Sequence, residues 1–319
     1  MSAAQHAENF LQLLTAGILT GVIYGLMCVG LSMIFGIMRV INFAQGEFMM
    51  LGMYFAWYCF GFLAGLSFFP ELLAPYVAAL AAGPLVFLLG LLVHKTLVSQ
   101  VTGTSSSALD SEGHYAQLIL TLGISLVLAN GGQVLFGSAP VSISTPLSST
   151  SWMIGPLAGD DILIFVNQGQ SIAAVIAIGV VVLFAVLMAR SRLGRSLRAA
   201  ADNPEAAIYM GIDVDRAYRI AFGLGIGITA IGGGLLASSN PFQPHIGIEY
   251  VIVMYAGVVL GGLGSLSGAF FGGLIIGLVQ QLSPLILPTQ LQNTSIFVCF
   301  LVIVLLKPEG LFGKVARRA

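Results

Sequence analysis

The chain has 319 residues, of which 57% are hydrophobic and only 8% are charged, and its formal net charge is −1. Soluble domains carry about 25% charged residues, so this composition excludes a soluble globular protein. It also excludes a nucleic-acid-binding surface, which needs clustered lysine and arginine to neutralise phosphates. The first apolar segment follows no basic region and is too long for a cleavable signal peptide, so we expect it to be retained as a membrane helix.

Apolar segments long enough to cross about 30 Å of hydrocarbon recur along the chain. Because backbone polar groups in lipid must be hydrogen-bonded within their own segment, each is predicted to be an α-helix. The predicted fold is all-α, a single polytopic domain over 1–319 with about eight to ten transmembrane helices. The seventh segment is short and is interpreted as a half-helix or part of a re-entrant hairpin. The predicted segments are 10–37, 42–62, 73–97, 116–137, 169–190, 218–238, 251–265, 267–285 and 290–306.

The positions of the 12 lysine and arginine residues predict the orientation of the chain. These residues accumulate on the cytoplasmic side of membrane proteins. All of them fall at or near one side if the N-terminus is external and the C-terminus is cytoplasmic. Residues 190–217 are then a cytoplasmic loop, whereas 138–168, which contain acids but no lysine or arginine, are an external loop.

A polar, basic insert with the sequence GRSLRAAADNPEAAIYMGID, residues 194–213, separates two apolar segments. Asn203 is predicted to cap a helix that begins at Pro204, and Glu205 favours the positive helix end. Gly211 is placed to end the helix in the left-handed conformation. So short a helix is marginal in water, so it needs a surface, either another protein or lipid headgroups. Its exposed apolar candidates are Ile208, Tyr209 and Met210.

The stretch RVINFAQGEFMMLG, residues 39–52, brings polar side chains to the entrance of the second apolar segment. A carboxylate within a membrane segment costs on the order of 2.5–3.5 kcal/mol on insertion scales. Glu47 is therefore expected to line a cavity or to find a partner, for which Arg39 is the candidate. For Asn42, Gln45 and Glu47 two interpretations remain open, a structural junction between two helices or direct contact with a transported substrate.

Glycine accounts for 40 residues, many of them four positions apart. Small residues at this spacing let helix backbones approach closely in lipid. Tight packing alone and helices that slide during gating are both compatible with the pattern. The stretch GGLGSLSGAFFGG, residues 261–273, is predicted to be a tight turn between packed helices and not a nucleotide-binding loop, because no strand precedes it. The helix-packing candidates are Gly17, Gly21, Gly25, Gly264, Gly268 and Gly272.

The sequence contains no motif of a catalytic or metal site. No phosphate-binding loop, H-E-x-x-H motif or Ser/His/Asp arrangement is present, so we predict that the chain neither hydrolyses ATP nor binds a metal. Cys28, Cys59 and Cys299 are isolated in apolar surroundings and are interpreted as buried hydrophobic residues. His245 is interpreted as a solvated loop residue. An ion-coupled transporter or channel is a weaker alternative, because membrane segments of that class carry more paired charges.

Four stretches resemble, in order, the motifs of Liv-type permeases, the membrane subunits of ABC importers for branched-chain amino acids. They are GLSMIFGIMRVINFAQGEFMMLG, LRAAADNPEAAIYMGID, GGLGSLSGAFFGGLIIG and LLKPEGLFG, and the likeness is to the shorter, H-type subunit. It extends from about Gly17 to Gly313. Gln45 departs from the family, in which histidine is common at this position.

The resemblance implies a bacterial inner-membrane protein that pairs with a second, M-type permease, two ATP-binding subunits and a periplasmic binding protein. ATP and magnesium are then bound by the partner ATPase, and this chain holds no cofactor. The binding protein is expected on 138–168 and 238–250. Relatives transport leucine-like amino acids, and also urea, short amides and aromatic acids. The resemblance assigns contact with the ATPase to Leu197, Ala199, Asp202, Asn203, Pro204, Glu205, Ala206, Ile208, Tyr209, Met210 and Gly211.

Overall fold

In the computed structural model, which describes residues 3–66, 70, 72–101, 111–157, 162–307 and 310–312, apolar segments alternate with short connections. The predicted all-α bundle is confirmed, and eight helices of the described chain, α1–α4, α6, α9, α11 and α12, are long and apolar enough to cross a membrane. The elements are α1 (Ala3–Met38), α2 (Gln45–Ala64), α3 (Ala74–Thr96), α4 (Ser111–Phe136), α5 (Pro146–Ser149), β1 (Ser151–Leu157), β2 (Ile162–Asn167), α6 (Gln168–Arg190), α7 (Arg192–Asp202), α8 (Pro204–Tyr209), α9 (Val214–Ala237), α10 (Ile246–Gly261), α11 (Leu266–Leu282) and α12 (Gln292–Leu306).

Helices α1 and α9 form the centre of the bundle. In each, 83% of the residues in the most apolar stretch of 18 residues are buried inside the bundle, compared with 22% in α4 and 11% in α12. The core residues come largely from α1, α2, α9 and α10, and they include Leu26, Met27, Phe48 and Phe222. The outer faces of α4 and α12 are apolar and exposed, as expected for surfaces that contact lipid or another membrane subunit.

Glycines let α1 and α11 pack backbone to backbone. A Cβ atom built at Gly21 would lie 2.6 Å from the Leu274 carbonyl oxygen, and one at Gly25 would lie 2.7 Å from the Phe270 carbonyl oxygen. Gly17 faces Leu278 in the same row. No larger side chain fits at Gly21 or Gly25 unless the two helix axes separate.

A tight turn joins α10 to α11, as predicted from residues 261–273. Gly262 and Gly264 have φ values of 101° and 81°, in the region that favours glycine. The Ser265 hydroxyl then caps α11 by accepting a hydrogen bond from the Gly268 backbone N–H at 3.1 Å. Helix α10 has 16 residues and so spans about 24 Å, which explains why its segment is the short one. Gly268 packs against Gly261, Gly272 against Gly257, and Gly264 against Gly36.

A β-hairpin is the feature of 138–168 that the sequence analysis missed when it interpreted these residues as a loop. Strands β1 and β2 are antiparallel, with Ser151 opposite Asn167 and Ile154 opposite Ile164. A two-stranded hairpin is marginal alone, and this one is held by a side chain distant in sequence. Gln12 of α1 donates to the Phe165 carbonyl at 2.6 Å and accepts from the Phe165 N–H at 2.9 Å. Short strands that are fixed by such a contact leave no regular alternation of apolar and polar residues in the sequence.

The basic residues that the structure describes collect at one end of the bundle, which we call the basic end. Arg39 follows α1 and is close enough to Tyr218, at the start of α9, for an electrostatic interaction. His94, beside Lys95 at the end of α3, likewise interacts with Arg219. The opposite end, the hairpin end, carries the start of α1, β1 and β2. The basic end comprises Arg39, Lys95, Arg190, Arg192, Arg195, Arg198, Arg216, Arg219 and Lys307. Lys314, Arg317 and Arg318 lie outside the described residues.

Candidate functional site

Helix α7 lies on the basic end and is anchored on one face only. Its N-terminus is capped by the Ser191 hydroxyl, which accepts a hydrogen bond from the Gly194 N–H at 2.9 Å. Leu197 and Ala200 are buried, whereas Arg195 is exposed. The face of α7 that points away from the bundle is therefore basic, and the opposite face, which packs against the bundle, is apolar.

Helix α8 follows with both ends capped, as the sequence predicts. The Asn203 side chain accepts a hydrogen bond from the Ala206 N–H at 3.0 Å, and Pro204 is the first helical residue. Gly211 has φ of 79°. The Gly211 N–H donates to the Ile208 carbonyl and the Ile212 N–H to the Ala207 carbonyl, both at 2.9 Å. These two bonds form a complete Schellman motif.

The apolar tip of α8 is among the most exposed parts of the described chain. Tyr209 is 88% exposed, Met210 82% and Ile208 45%. Single exposed apolar residues are ordinary, but three consecutive ones on a rigidly capped helix form a surface suited to a partner. Of the other residues that the resemblance assigns to the ATPase contact, Ala199 and Pro204 are half-buried, and the exposed ones are Asp202, Asn203, Glu205, Ala206 and Gly211.

Leu197 differs from the rest of that set. The resemblance assigns it to the ATPase contact, but its side chain is only 1% exposed. It packs α7 onto the bundle, so its side chain is not available to another chain. Leu197 therefore holds α7 in position on the bundle and supports the exposed residues indirectly, with no contact of its own to a partner chain.

The junction between α1 and α2 is held by a buried hydrogen-bond network. Asn42 donates from its amide to the Gln45 side-chain oxygen at 3.0 Å and accepts from the Ala44 N–H at 3.1 Å. The Gln45 amide donates to the Thr229 hydroxyl of α9 at 2.6 Å. Asn42 and Gln45 are both fully buried. Their contacts within the chain favour the structural interpretation for these two residues.

Glu47 is placed differently, and the expected pair with Arg39 is wrong. Arg39 takes a left-handed backbone conformation, with φ of 54°, directly after α1 ends at Met38, and its side chain is exposed on the basic end. Glu47 lies in the first turn of α2 and is 1% exposed. The chain direction set at Arg39 thus carries the two side chains apart.

The Glu47 carboxylate has no hydrogen-bond partner in the described chain. It lies against Gly247 of α10, where an added Cβ would come within 2.6 Å of its carbon, and the Ser125 hydroxyl of α4 also faces it. A buried carboxyl group with only a neighbouring hydroxyl to interact with is costly, and in membrane proteins such a group commonly marks a functional site. Glu47 therefore stays a candidate for the pathway.

A cavity of about 470 Å³ opens at the basic end, between the end of α1, α4 and the α10–α11 turn. Its walls combine apolar side chains with one cation and one amide. The sequence analysis missed this site, because Gln117 is one of several isolated polar residues in an apolar segment and nothing local indicates its neighbours in space. The side chains that line the cavity are Phe35, Arg39, Ile41, Gln117, Leu118 and Leu263.

The model of the family "Branched-chain amino acid transport system / permease component" matches residues 13–306. The chain belongs to this family. The permease is 27% identical to the high-affinity branched-chain amino acid transport system permease protein LivH of Salmonella typhimurium over 306 residues, 96% of each chain. It is 28% identical to the permease protein BraD of Pseudomonas aeruginosa over 309 residues, again 96% of each chain. No solved structure matches it significantly.

The permease is accordingly a membrane subunit of an ABC importer. Permeases of such importers work with an ATPase and a substrate-binding protein. Among its described residues, no group of three or more His, Cys, Asp or Glu side chains is placed to hold a metal ion.

At the hairpin end of the permease, two segments distant in sequence are joined. The backbone groups of Val141 and Phe242 exchange two hydrogen bonds of 2.9 Å. His245 is exposed there, and its Nε2 lies 3.2 Å from the Gln133 side-chain oxygen. The bridge joins the described residues 138–157 to 238–250 at this end of the bundle.

Proposed function

We propose that this permease translocates a branched-chain or similarly hydrophobic amino acid, delivered by a periplasmic binding protein. One observation carries the proposal: relatives named for branched-chain amino acid transport align with 96% of the chain. In this proposal the permease pairs with an M-type permease and two ATP-binding subunits in the bacterial inner membrane. ATP and magnesium are bound and used by those subunits, and this chain supplies no catalytic group.

In this proposal helix α8 contacts an ATP-binding subunit and couples ATP hydrolysis to transport, and its geometry supports that role. Tyr209 and Met210 extend from a helix whose ends are both capped, so the tip can enter a groove without fraying. Lipid headgroups are the other surface that α8 could contact. A protein groove is favoured because a lipid interface does not require a fixed helix end. Movement of the ATPases would then reach the bundle through α7 and its buried Leu197.

The joined surface at the hairpin end suits the binding protein. It contains no lysine or arginine, and 138–168 contain acids. Ligand delivery there and ATPase contact at the basic end place the two partners at opposite ends of the bundle. Substrate transfer between them requires the bundle to alternate between two openings, with each partner favouring one of them.

The first prediction concerns orientation. We expect the hairpin end outside and the basic end in the cytoplasm, because lysine and arginine accumulate on the cytoplasmic side. Ser138→Cys and Glu205→Cys are made separately in a chain without its native cysteines, and sealed cells are treated with a thiol reagent that does not cross the membrane. We expect Ser138→Cys to react in intact cells and Glu205→Cys only after lysis. The reverse pattern would overturn the proposed orientation.

The second prediction tests the transported solute. The reconstituted complex is expected to accumulate leucine only when ATP is supplied on the side of the basic end and loaded binding protein on the other. The matched control carries an ATPase subunit that cannot hydrolyse ATP. Uptake of urea, a short amide or an aromatic acid in place of leucine would reject the amino-acid assignment but keep the importer. Accumulation that follows an ion gradient without ATP would reject the importer as well.

A further inference from the structure

Arg39 has a left-handed backbone conformation and an exposed, unpaired side chain. It is the one non-glycine residue with a positive φ in the described part of the chain, at 54°. Its guanidinium forms no hydrogen bond or ion pair with another described residue, although Tyr218 lies within electrostatic range. The left-handed conformation ends α1, because the Arg39 N–H still donates to the Phe35 carbonyl at 2.9 Å and the chain then turns away from the helix. The unpaired guanidinium is therefore the feature that points to a ligand.

The cavity beside Arg39 has the composition of a small-molecule site. Its volume of about 470 Å³ falls within the range of about 300–1,000 Å³ found for ligand sites. Phe35, Leu118 and Leu263 supply apolar walls, and among the described residues Arg39 is the only charged one that lines it.

Two lining residues of the cavity, Gln117 and Ile41, are held by hydrogen bonds to groups outside it. The Gln117 amide donates to the Val101 carbonyl at 3.2 Å, and the Thr121 hydroxyl donates to the Ile41 carbonyl at 3.3 Å. These bonds fix two walls of the cavity beside the unpaired guanidinium. A site with a fixed shape, apolar walls and one cation selects a ligand that is apolar with one negative charge.

We propose that this cavity binds a small carboxylate with an apolar side chain, and that the Arg39 guanidinium pairs with the carboxylate. Arginine suits this role because its planar donors match the two oxygens of a carboxylate. The inference rests on the proposed function in one respect, since a branched-chain amino acid has this chemistry. It adds that the basic end holds the solute in a site of its own before release.

A lipid phosphate offers the same negative charge to Arg39. The apolar walls favour the solute, because a volume of about 470 Å³ suits a short side chain better than two long acyl chains. The experiment therefore separates a soluble carboxylate from an anionic headgroup.

The test is protection of a cysteine in the cavity wall. Leu263→Cys is introduced into a permease lacking native cysteines, and the whole complex is reconstituted in phosphatidylcholine vesicles. The rate of modification by a thiol reagent is measured with leucine, with 3-methylbutanoate, and with leucinamide, which lacks the carboxylate. We expect both carboxylates to slow modification several-fold and leucinamide to have no effect.

Two variants decide whether Arg39 is responsible. Arg39→Gln should weaken protection by about tenfold or more in carboxylate concentration, as expected when a charge-assisted bond is lost. Lys95→Gln removes an equal charge at the same end but outside the cavity, and it should leave protection unchanged. Protection that survives Arg39→Gln, or no protection by either carboxylate, would overturn the proposal. So would modification that phosphatidylglycerol slows while both carboxylates leave it unchanged, because the ligand would then be a headgroup.

The outcome is independent of the solute assignment. Leucine uptake by the wild-type complex reports on the proposed function, whereas protection reports on the cavity. A complex that takes up leucine but shows no protection contradicts only the cavity. A complex that does not take up leucine but is protected by 3-methylbutanoate contradicts only the transported solute.

Discussion

Gly21→Leu is expected to prevent stable assembly of the permease in the membrane. The Cβ atom of the new leucine would lie only 2.6 Å from the Leu274 carbonyl oxygen, which is closer than two such atoms can approach. Unlike a flexible side chain, the Leu274 backbone carbonyl cannot rotate away from the new atoms. Helices α1 and α11 would therefore have to separate along their whole contact. We expect a loss of stability of about 3 kcal/mol, the upper part of the range for overpacked cores. The measurement is the amount of folded permease after extraction, together with its midpoint of thermal unfolding.

Gly179→Leu is the matched control. Gly179 lies in the middle of α6, another membrane helix, and nothing lies within 4 Å of a Cβ built there. The same substitution should therefore leave both the amount and the melting midpoint close to wild type. Equal behaviour of the two variants would show that close approach of α1 and α11 does not limit stability.

The glycine pattern shows how far sequence reasoning reaches. Four-residue spacing correctly indicates that Gly21 and Gly25 face another helix, because spacing fixes which residues share a face. It does not identify α11 as that helix. Gly123, which has no glycine four positions before or after it, faces open space. Local spacing gives a surface, and only the tertiary fold gives its partner.

Gly211→Val is expected to uncouple the permease from its ATPase without affecting insertion. A β-branched residue resists the left-handed conformation that Gly211 adopts, with φ of 79°. The Schellman bonds from Gly211 and Ile212 would be lost, and the Tyr209–Met210 tip would no longer be held. We expect ATPase subunits to co-purify at about one tenth of the wild-type level or less, consistent with losing an anchored apolar contact of about 1.5–3 kcal/mol.

Gly137→Val provides the comparison for backbone strain. Gly137 has the same φ of 79° and the same open surroundings, but it follows α4 at the hairpin end. Equal strain far from α8 should leave ATPase co-purification intact.

Tyr209→Ser tests the tip directly, with Ile286→Ser as its control because both side chains are 88% exposed. Wild-type co-purification of Gly211→Val and Tyr209→Ser would reject the coupling role of α8.

Helix α8 could be predicted in detail because its signals are local. Asn203, Pro204 and Gly211 each act on backbone within a few residues, so the start and the end follow from residue type. The Arg39–Glu47 pair failed for the opposite reason. Eight positions separate these residues, and a left-handed residue between helices changes the chain direction. Opposite charges near each other in sequence do not specify such a turn.

The contact between Gln12 and Phe165 has a mechanical consequence. Helix α1 has 36 residues and is about 54 Å long, nearly twice the hydrocarbon thickness, and it contains no proline that would bend it. Its first turns are clamped to β2 by two hydrogen bonds, and Gly36 near its end packs on Gly264 in the α10–α11 turn. The helix therefore acts as a stiff rod fixed at both ends. A tilt of the hairpin must be followed by the whole rod, so force applied at one face of the membrane reaches the other without an intervening hinge.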